Sequence, residues 1–585
     1  MNEDIRMKKT SLSLLALLLC VQFAAAQKVP VQEMVLDNGM RLLLVPRKGD
    51  PNVAAGWVAR VGSVNERPGI TGLSHLFEHM MFKGTHAVGT KNIDENLKLI
   101  KEMDTVRVEL RQEEQTLIRK ARLGEISDNK DPKYRSERHK ELLARFNELT
   151  KREKDLMVKD EFDRIYTTAG GSGMNAGTST DFTVYFINVP ANKLELWFWM
   201  ESDRLRNPVF REFYSERDVV HEERRLRTDS TPTGKFNEQY ESMFWQSSPY
   251  GWPVVGWPSD LEGITREEAL DYFAVNYAPN NLTACLVGDV DPVRAKELAQ
   301  QYFGRLPRGP RSPEPVRTSE MPQLAEKRMV AWAETVPQVR VRYHTVAEGH
   351  ADDFTLDILA SLLSGRTGRL YKSLVLQQSV ANSAGAGQDG RKYEGLFELN
   401  GVAKPGKTPE EVEQALYKEI ERMQKELVDA NELQKVKNQY AANNFRGIQS
   451  NFGLMVQLLL RDNNRGWETI NTDPARHQAV TPEDIRRVAN THFKPENRTI
   501  AIYYTKKKAD GAVDDPALAG LTDQEKIQIG QMKGMLSQAK AEQIKMMLSR
   551  FEQQASSAPA DKQNFFKVVK KMLEDRLKQL EGGNQ

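Results

Sequence analysis

His75-Leu76-Phe77-Glu78-His79 is the stretch on which the reading of this chain turns. With 9 His among 585 residues, a His-x-x-Glu-His pattern arises by chance in roughly one such chain in a hundred, so chance explains it poorly. On a helix, His75, Glu78, His79 and Phe82 fall on one side, and Leu73, Leu76, Phe77, Met80 and Met81 on the other. The apolar side can anchor the helix in a core while both imidazoles and one carboxylate look into a cleft. Two imidazoles one turn apart can both reach a Zn²⁺ at about 2.0–2.1 Å and leave a position open for water. Glu78 then stands where a general base is needed, taking a proton from zinc-bound water and passing it to the leaving amine. The competing reading is a solvated helix face with two unconnected histidines.

A catalytic zinc takes three protein ligands, so a third must come from elsewhere. Glu216-Arg217-Asp218-Val219-Val220-His221-Glu222-Glu223-Arg224-Arg225 puts several carboxylates on one helix. Glu216 and Glu223, seven apart, share a side. Spacing alone does not choose between them, and an ordinary ion pair with Arg217, Arg224 or Arg225 is the common fate of such a glutamate.

Outward from these motifs, the start of the chain carries Arg6, Lys8 and Lys9, an apolar run from Leu12 to Phe23, and Ala24-Ala25-Ala26 before Gln27. This is the pattern of a secretory signal peptide (1–26) cleaved after Ala26, which predicts a periplasmic or secreted protein. The run falls short of the roughly 20 residues a membrane span needs, so no integral span is expected. Cys20 leaves with the signal, and Cys285 reads as a buried strand residue without a disulfide partner. The 83 Lys and Arg against 81 Asp and Glu leave a net charge of +2, which argues against a nucleic-acid partner.

A repeat recurs at a spacing of 216 residues. Ile264-Thr265-Arg266-Glu267-Glu268 matches Val480-Thr481-Pro482-Glu483-Asp484, and in the same register Tyr277 to Thr283 matches Phe493 to Thr499. Each copy reads as a capped helix, a turn at proline and a strand. The Pro- and Arg-rich segment 306–322 reads as a linker, dividing an N-terminal half (27–305) from a C-terminal half (323–506). The charged stretch from about 93 to 160 predicts a projecting helical hairpin, and 507–585 a helical tail whose methionines serve packing.

His75 to Thr85, Gly173-Met174-Asn175-Ala176-Gly177 to Tyr185, the Glu216 to Glu223 helix, and Pro249-Tyr250-Gly251 to Asp291 together resemble the pitrilysin and insulinase group of inverted zincins, on the branch similar to mitochondrial processing peptidase. The resemblance implies an α+β fold of two related α/β halves closing like a clamshell, with the helical hairpin inserted and the helical tail appended. It implies a zinc endopeptidase with one Zn²⁺ per chain, Glu223 as third ligand, and Glu216 as the carboxylate supporting the site. Peptides or unfolded protein segments are the implied substrates, added as a strand beside Asn175 and Ala176; Asn175 reads equally as a turn residue in a Gly-rich loop.

Two departures stand out. Glu223 follows His79 by 144 residues, about twice the family's usual interval, with the excess in the charged hairpin. The second half has no His-x-x-Glu-His, and Val375 and Asn382 occupy the positions where relatives carry an Arg and a Tyr that stabilise the oxyanion. The expectation is therefore a homo- or heterodimer with a related subunit that supplies those donors. A non-catalytic scaffold subunit is the alternative.

Overall fold

The computed structural model describes residues 28–506, scattered positions between 521 and 536, and residues 541–555 and 562–582; the expected export signal lies outside the described residues. Two mixed sheets organise it. Strands β1 (Gln32–Val35), β2 (Arg41–Pro46), β3 (Asn52–Ala59), β4 (Ser172–Thr178), β5 (Thr183–Pro190) and β6 (Leu282–Gly288) lie in the order β1-β2-β6-β3-β5-β4. Strands β7 (Lys327–Ala333), β8 (Gln338–Thr345), β9 (Ala381–Gly390), β10 (Gly395–Ala403) and β11 (Arg498–Thr505) follow β7-β11-β8-β10-β9. Without β1 the two topologies coincide: one parallel pair, then three antiparallel steps.

The sequence repeat builds the centre of each sheet. Thr265 and Thr481 open the helices Arg266–Asn276 and Pro482–His492 with reciprocal capping boxes to Glu268 and Asp484. A single 3-10 turn at Pro279 or Pro495 then leads into β6 or β11. Equivalent asparagines close each unit. The Asn281 amide donates to the carbonyls of Asn276 (2.8 Å) and Arg60 (3.4 Å), and that of Asn497 to His492 (2.8 Å) and His344 (2.9 Å).

Each sheet has two faces to bury, and the halves exchange helices to do it. Leu42, Leu44, Val53, Ala55 and Trp57 face the first half's own helices. Leu43, Val45, Ala54, Val58 and Cys285 face Leu454, Met455, Leu458 and Leu459 on the helix Asn451–Asn464 of the second half. In return, Tyr240 of the helix Gly234–Phe244 packs on Ala331, Ala501 and Tyr503 of the second sheet. The buried Asp462 fastens the first exchange, pairing with Arg41 (2.8 Å) and Arg60 (2.6 Å). Truncating such a partner strands buried charge at a cost of about 3–5 kcal/mol.

The charged insertion is a hairpin of helices Ile93–Arg122 and Glu137–Leu156. A ladder of pairs seven residues apart sets its antiparallel register: Arg138 with Glu109, Arg145 with Glu102, and Arg152 with Glu95. It does more than project. Leu99, Met103, Leu110, Leu142 and Leu149 join the core of the first half, and Asp104 accepts hydrogen bonds from Tyr214 (3.1 Å) and Arg266 (3.2 Å). The tail helices Ala541–Ala555 and Gln563–Gly582 share a small core of Ile544, Val569 and Leu573, with Met532 and Met547 packed against it. Met546 is exposed.

Where the exchanged helix Gly234–Phe244 meets β8, the ring of His344 stacks on Phe244 at 3.9 Å, and neither ring nitrogen has a partner. Burial lowers its pKa to about 4, with Glu320 opposing and Lys327 adding to the shift. The fold therefore favours the neutral ring. The unfolded chain protonates near pH 6.5, so His344 contributes full stability above that pH and loses it as pH falls toward 4, at most about 3 kcal/mol. Urea midpoints of wild type are expected to drop more steeply from pH 7 to pH 5 than those of His344→Phe or His344→Gln. Parallel slopes in all three proteins would exclude His344 as the source.

Candidate metal centre

The motif forms the helix Leu73–Met80, with Leu73, Leu76, Phe77 and Met80 buried as their spacing predicts. Its first turn is held by two carboxylates. Glu66 accepts from the amides of Gly72 (2.8 Å) and Ser74 (2.6 Å), and Asp260 from the Thr71 hydroxyl (2.7 Å) and the Gly69 amide (3.0 Å). Acceptors here complement the unpaired N–H groups of a helix start. Burial nevertheless pushes the Glu66 carboxyl up to about 8 against those amides. Gly72 has φ of +89°, and a Cβ there would lie 2.6 Å from the Val255 carbonyl, so only glycine fits.

The helix Phe213–Arg224 brings the carboxylates. It starts at Glu212, which sits in the left-handed region at φ 53°, a strained conformation of the kind that gathers at functional sites. Tyr214, locked by Asp104 and edge-on to Phe146 of the hairpin at 5.4 Å, fixes the helix beside the motif. His75 Nε2 and His79 Nε2 lie 3.5 and 3.4 Å from one oxygen, Oε2 of Glu223. Donors about 2.0–2.1 Å from one ion in tetrahedral array stand about 3.3–3.4 Å apart. The three residues thus fit a zinc-sized ion, and they form the one such group of His, Cys, Asp or Glu among the described residues.

Around this trio runs a chain of charge. His79 Nδ1 lies 3.3 Å from Glu216 Oε2, and Lys83 pairs with Glu216 and with Glu212 (3.2 Å). Burial works to lower His79, but hydrogen bonds with Glu216 and Glu223 prevail and hold it up at about 9. For His75 burial prevails and lowers the pKa against the pull of Glu223; its Nδ1 is buried without a partner. Glu223 is held below the usual carboxylate range by its hydrogen bond with His79. Glu216 is held low as well, where burial is outweighed by His79 and Lys83.

Glu78 is half-buried on the same helix and acts electrostatically on His75. Asn175 and Ala176 lie in β4, paired with Phe186 and Tyr185 of β5, so Asn175 belongs to a strand and not to a turn. β4 is an edge strand with one side unpaired. Val375 lies in a π-helical turn, Tyr371–Gln377, packed on the second core, and Asn382 is exposed in β9.

Sequence reasoning did not find Glu66, Lys83 or Arg227. Arg217, Arg224 and Arg225 are engaged elsewhere: with the Glu262 carbonyl, with Glu238 and with Glu222. Arg227, four residues after Glu223, makes the ion pair with it at 2.5 Å, and that helical spacing is the signal that was there to use.

Residues 41–104 match the family model "Insulinase (Peptidase family M16)", and residues 263–440 match "Peptidase M16 inactive domain". The "Zinc protease PqqE" of Helicobacter pylori is 26% identical over 499 residues, covering 83% of this chain and 96% of that protein. The "Uncharacterized zinc protease YmxG" of Bacillus subtilis is 20% identical over 375 residues, 63% of this chain and 73% of its own. Among solved structures, a protease from Helicobacter pylori superimposes with a TM-score of 0.66 at 22% identity, over 81% of this chain and 99% of that one. The periplasmic protease PqqL from Escherichia coli gives 0.59 at 16% identity, over 86% of this chain and 50% of that one. These likenesses support a peptidase kind. No helix among the described residues is long and apolar enough to cross a membrane.

The contact of Glu216 with His79 yields a direct expectation. Glu216→Gln should fold normally and weaken zinc binding about 10–100-fold, as read by competition with a chromophoric chelator. Wild-type affinity in the variant would remove Glu216 from the site.

Proposed function

The chain is of the pitrilysin/insulinase type, and from that premise we propose that it is a zinc-dependent endopeptidase hydrolysing peptides or unfolded protein segments. The observation that carries the reading is the convergence of both Nε2 atoms on a single oxygen of Glu223, with Glu78 on the same helix face. His75, His79 and Glu223 are the residues that would hold zinc, which when bound supplies Lewis acidity toward water and the scissile carbonyl. Glu78 acts as general base, taking the proton of the attacking water and delivering it to the leaving amine. Glu216 steadies the His79 ring through Nδ1, and Lys83 steadies Glu216. Substrate backbone adds along the open side of β4 at Asn175 and Ala176, where main-chain hydrogen bonds tolerate many sequences.

Val375 and Asn382 offer no guanidinium or phenol, and a second copy of the chain would offer none either, so a related subunit of different sequence completes the oxyanion site. The N-terminal apolar run and the likeness to a periplasmic protease support export to the periplasm. The same two positions, with the match to an inactive-domain model, favour a second reading: a non-catalytic scaffold subunit. Zinc stoichiometry and hydrolysis separate the two. Glu78→Gln should keep one zinc per chain and lose about 10²–10⁴-fold in peptide hydrolysis. Turnover equal to wild type would defeat the endopeptidase reading.

A further inference from the structure

The carboxylate of Glu223 divides its two oxygens. Oε2 faces the imidazoles of His75 and His79, and Oε1 lies 2.5 Å from Nη1 of Arg227. Arg227 sits on a π-helical turn, Arg225–Asp229, that follows the carboxylate helix directly, and such turns recur at functional sites. Its side chain is 76% exposed and borders a cavity of about 270 Å³ lined also by Thr228, Asn237 and Glu241. A surface arginine that reaches a mostly buried carboxylate is not needed to fill a core, and an ordinary exposed ion pair is worth little to stability. Its effect falls on the orientation of Glu223.

We propose that Arg227 is a positioning residue that ties up one oxygen of Glu223, so that the carboxylate presents a single oxygen to the two histidines and leaves a ligand position open. This rests on the zinc reading above. A free carboxylate can offer both oxygens to a metal, and doing so would occupy the position that water and substrate need. A guanidinium engaged with Oε1 removes that option, and it also holds the side chain in the rotamer that the site requires. Lysine in its place would keep the charge but change the reach and geometry of the contact.

The test uses the full chain and two readouts that do not depend on hydrolysis. Zinc affinity is measured by chelator competition, and cobalt(II) is substituted to read coordination number from its visible spectrum. Arg227→Met should weaken zinc binding about 10–100-fold and change the cobalt spectrum from the intense bands of a four-coordinate site to the weaker bands of a higher-coordinate one. Arg227→Lys should recover part of the affinity. Arg225→Met, which alters a neighbouring arginine paired only with the exposed Glu222, should leave both readouts at wild type. Wild-type behaviour in Arg227→Met, or an equal change in Arg225→Met, would overturn the proposal. A wild-type chain that binds no zinc would overturn the zinc reading itself, and would be seen before any variant is compared.

Discussion

A β-sheet has two faces, and in this protein each half covers part of the other half's sheet with one of its own helices. That constraint shapes the rest. Leu454, Met455, Leu458 and Leu459 leave the second half to cover the first sheet, and Tyr240 leaves the first half to cover the second. At about 1.5–3 kcal/mol for each large apolar side chain removed from water, those four residues alone represent roughly 6–12 kcal/mol. A whole domain is stable by only about 5–15 kcal/mol. The first sheet therefore depends on a helix encoded some 160 residues after its last strand, and Asp462 sets the register of that loan through Arg41 and Arg60.

The candidate metal centre inherits its rigidity from this frame. The motif helix lies on the covered first sheet, pinned at one end by Glu66 and Asp260 and along its side by the aromatic contacts of Phe77 with Phe210 and Tyr272. The carboxylate helix comes from a separate part of the chain and is fixed by the charged hairpin through Tyr214 and Asp104. The length that separates His79 from Glu223 is thus not idle: its inner ends hold the third residue of the trio in place. Charges alternate outward from the trio, His79 to Glu216 to Lys83 to Glu212, so each partly buried ion has a partner and the penalty of isolating it is offset.

Much of this was legible in the sequence, for identifiable reasons. The helix face of His75, Glu78 and His79 follows from a 3.6-residue period, and the two capping boxes follow from Thr265 and Thr481 three residues before an acid. Glu216 and Glu223 share a side because seven residues make nearly two turns. The exchange of helices was not legible, since the apolar stripe of Asn451–Asn464 looks the same whichever sheet it covers. Glu66 escaped notice because a capping carboxylate seven residues upstream of a helix start has no local pattern. Arg227 lies beyond the stretch 216–225 considered for the carboxylates, on the π-helical turn that runs on to Asp229.

The exchange also bears on why a half without a metal motif remains. Val375 and Asn382 give the second half neither a guanidinium nor a phenol at those positions. It still covers the far face of the sheet on which the motif helix rests, and its Asp462 neutralises two guanidiniums of that sheet. Removing it would expose Leu43, Val45, Ala54 and Val58 to water and leave Arg41 and Arg60 without their shared partner. Val375 and Asn382 lie apart from the helix Asn451–Asn464, so the structural work of the second half does not depend on what those two positions carry.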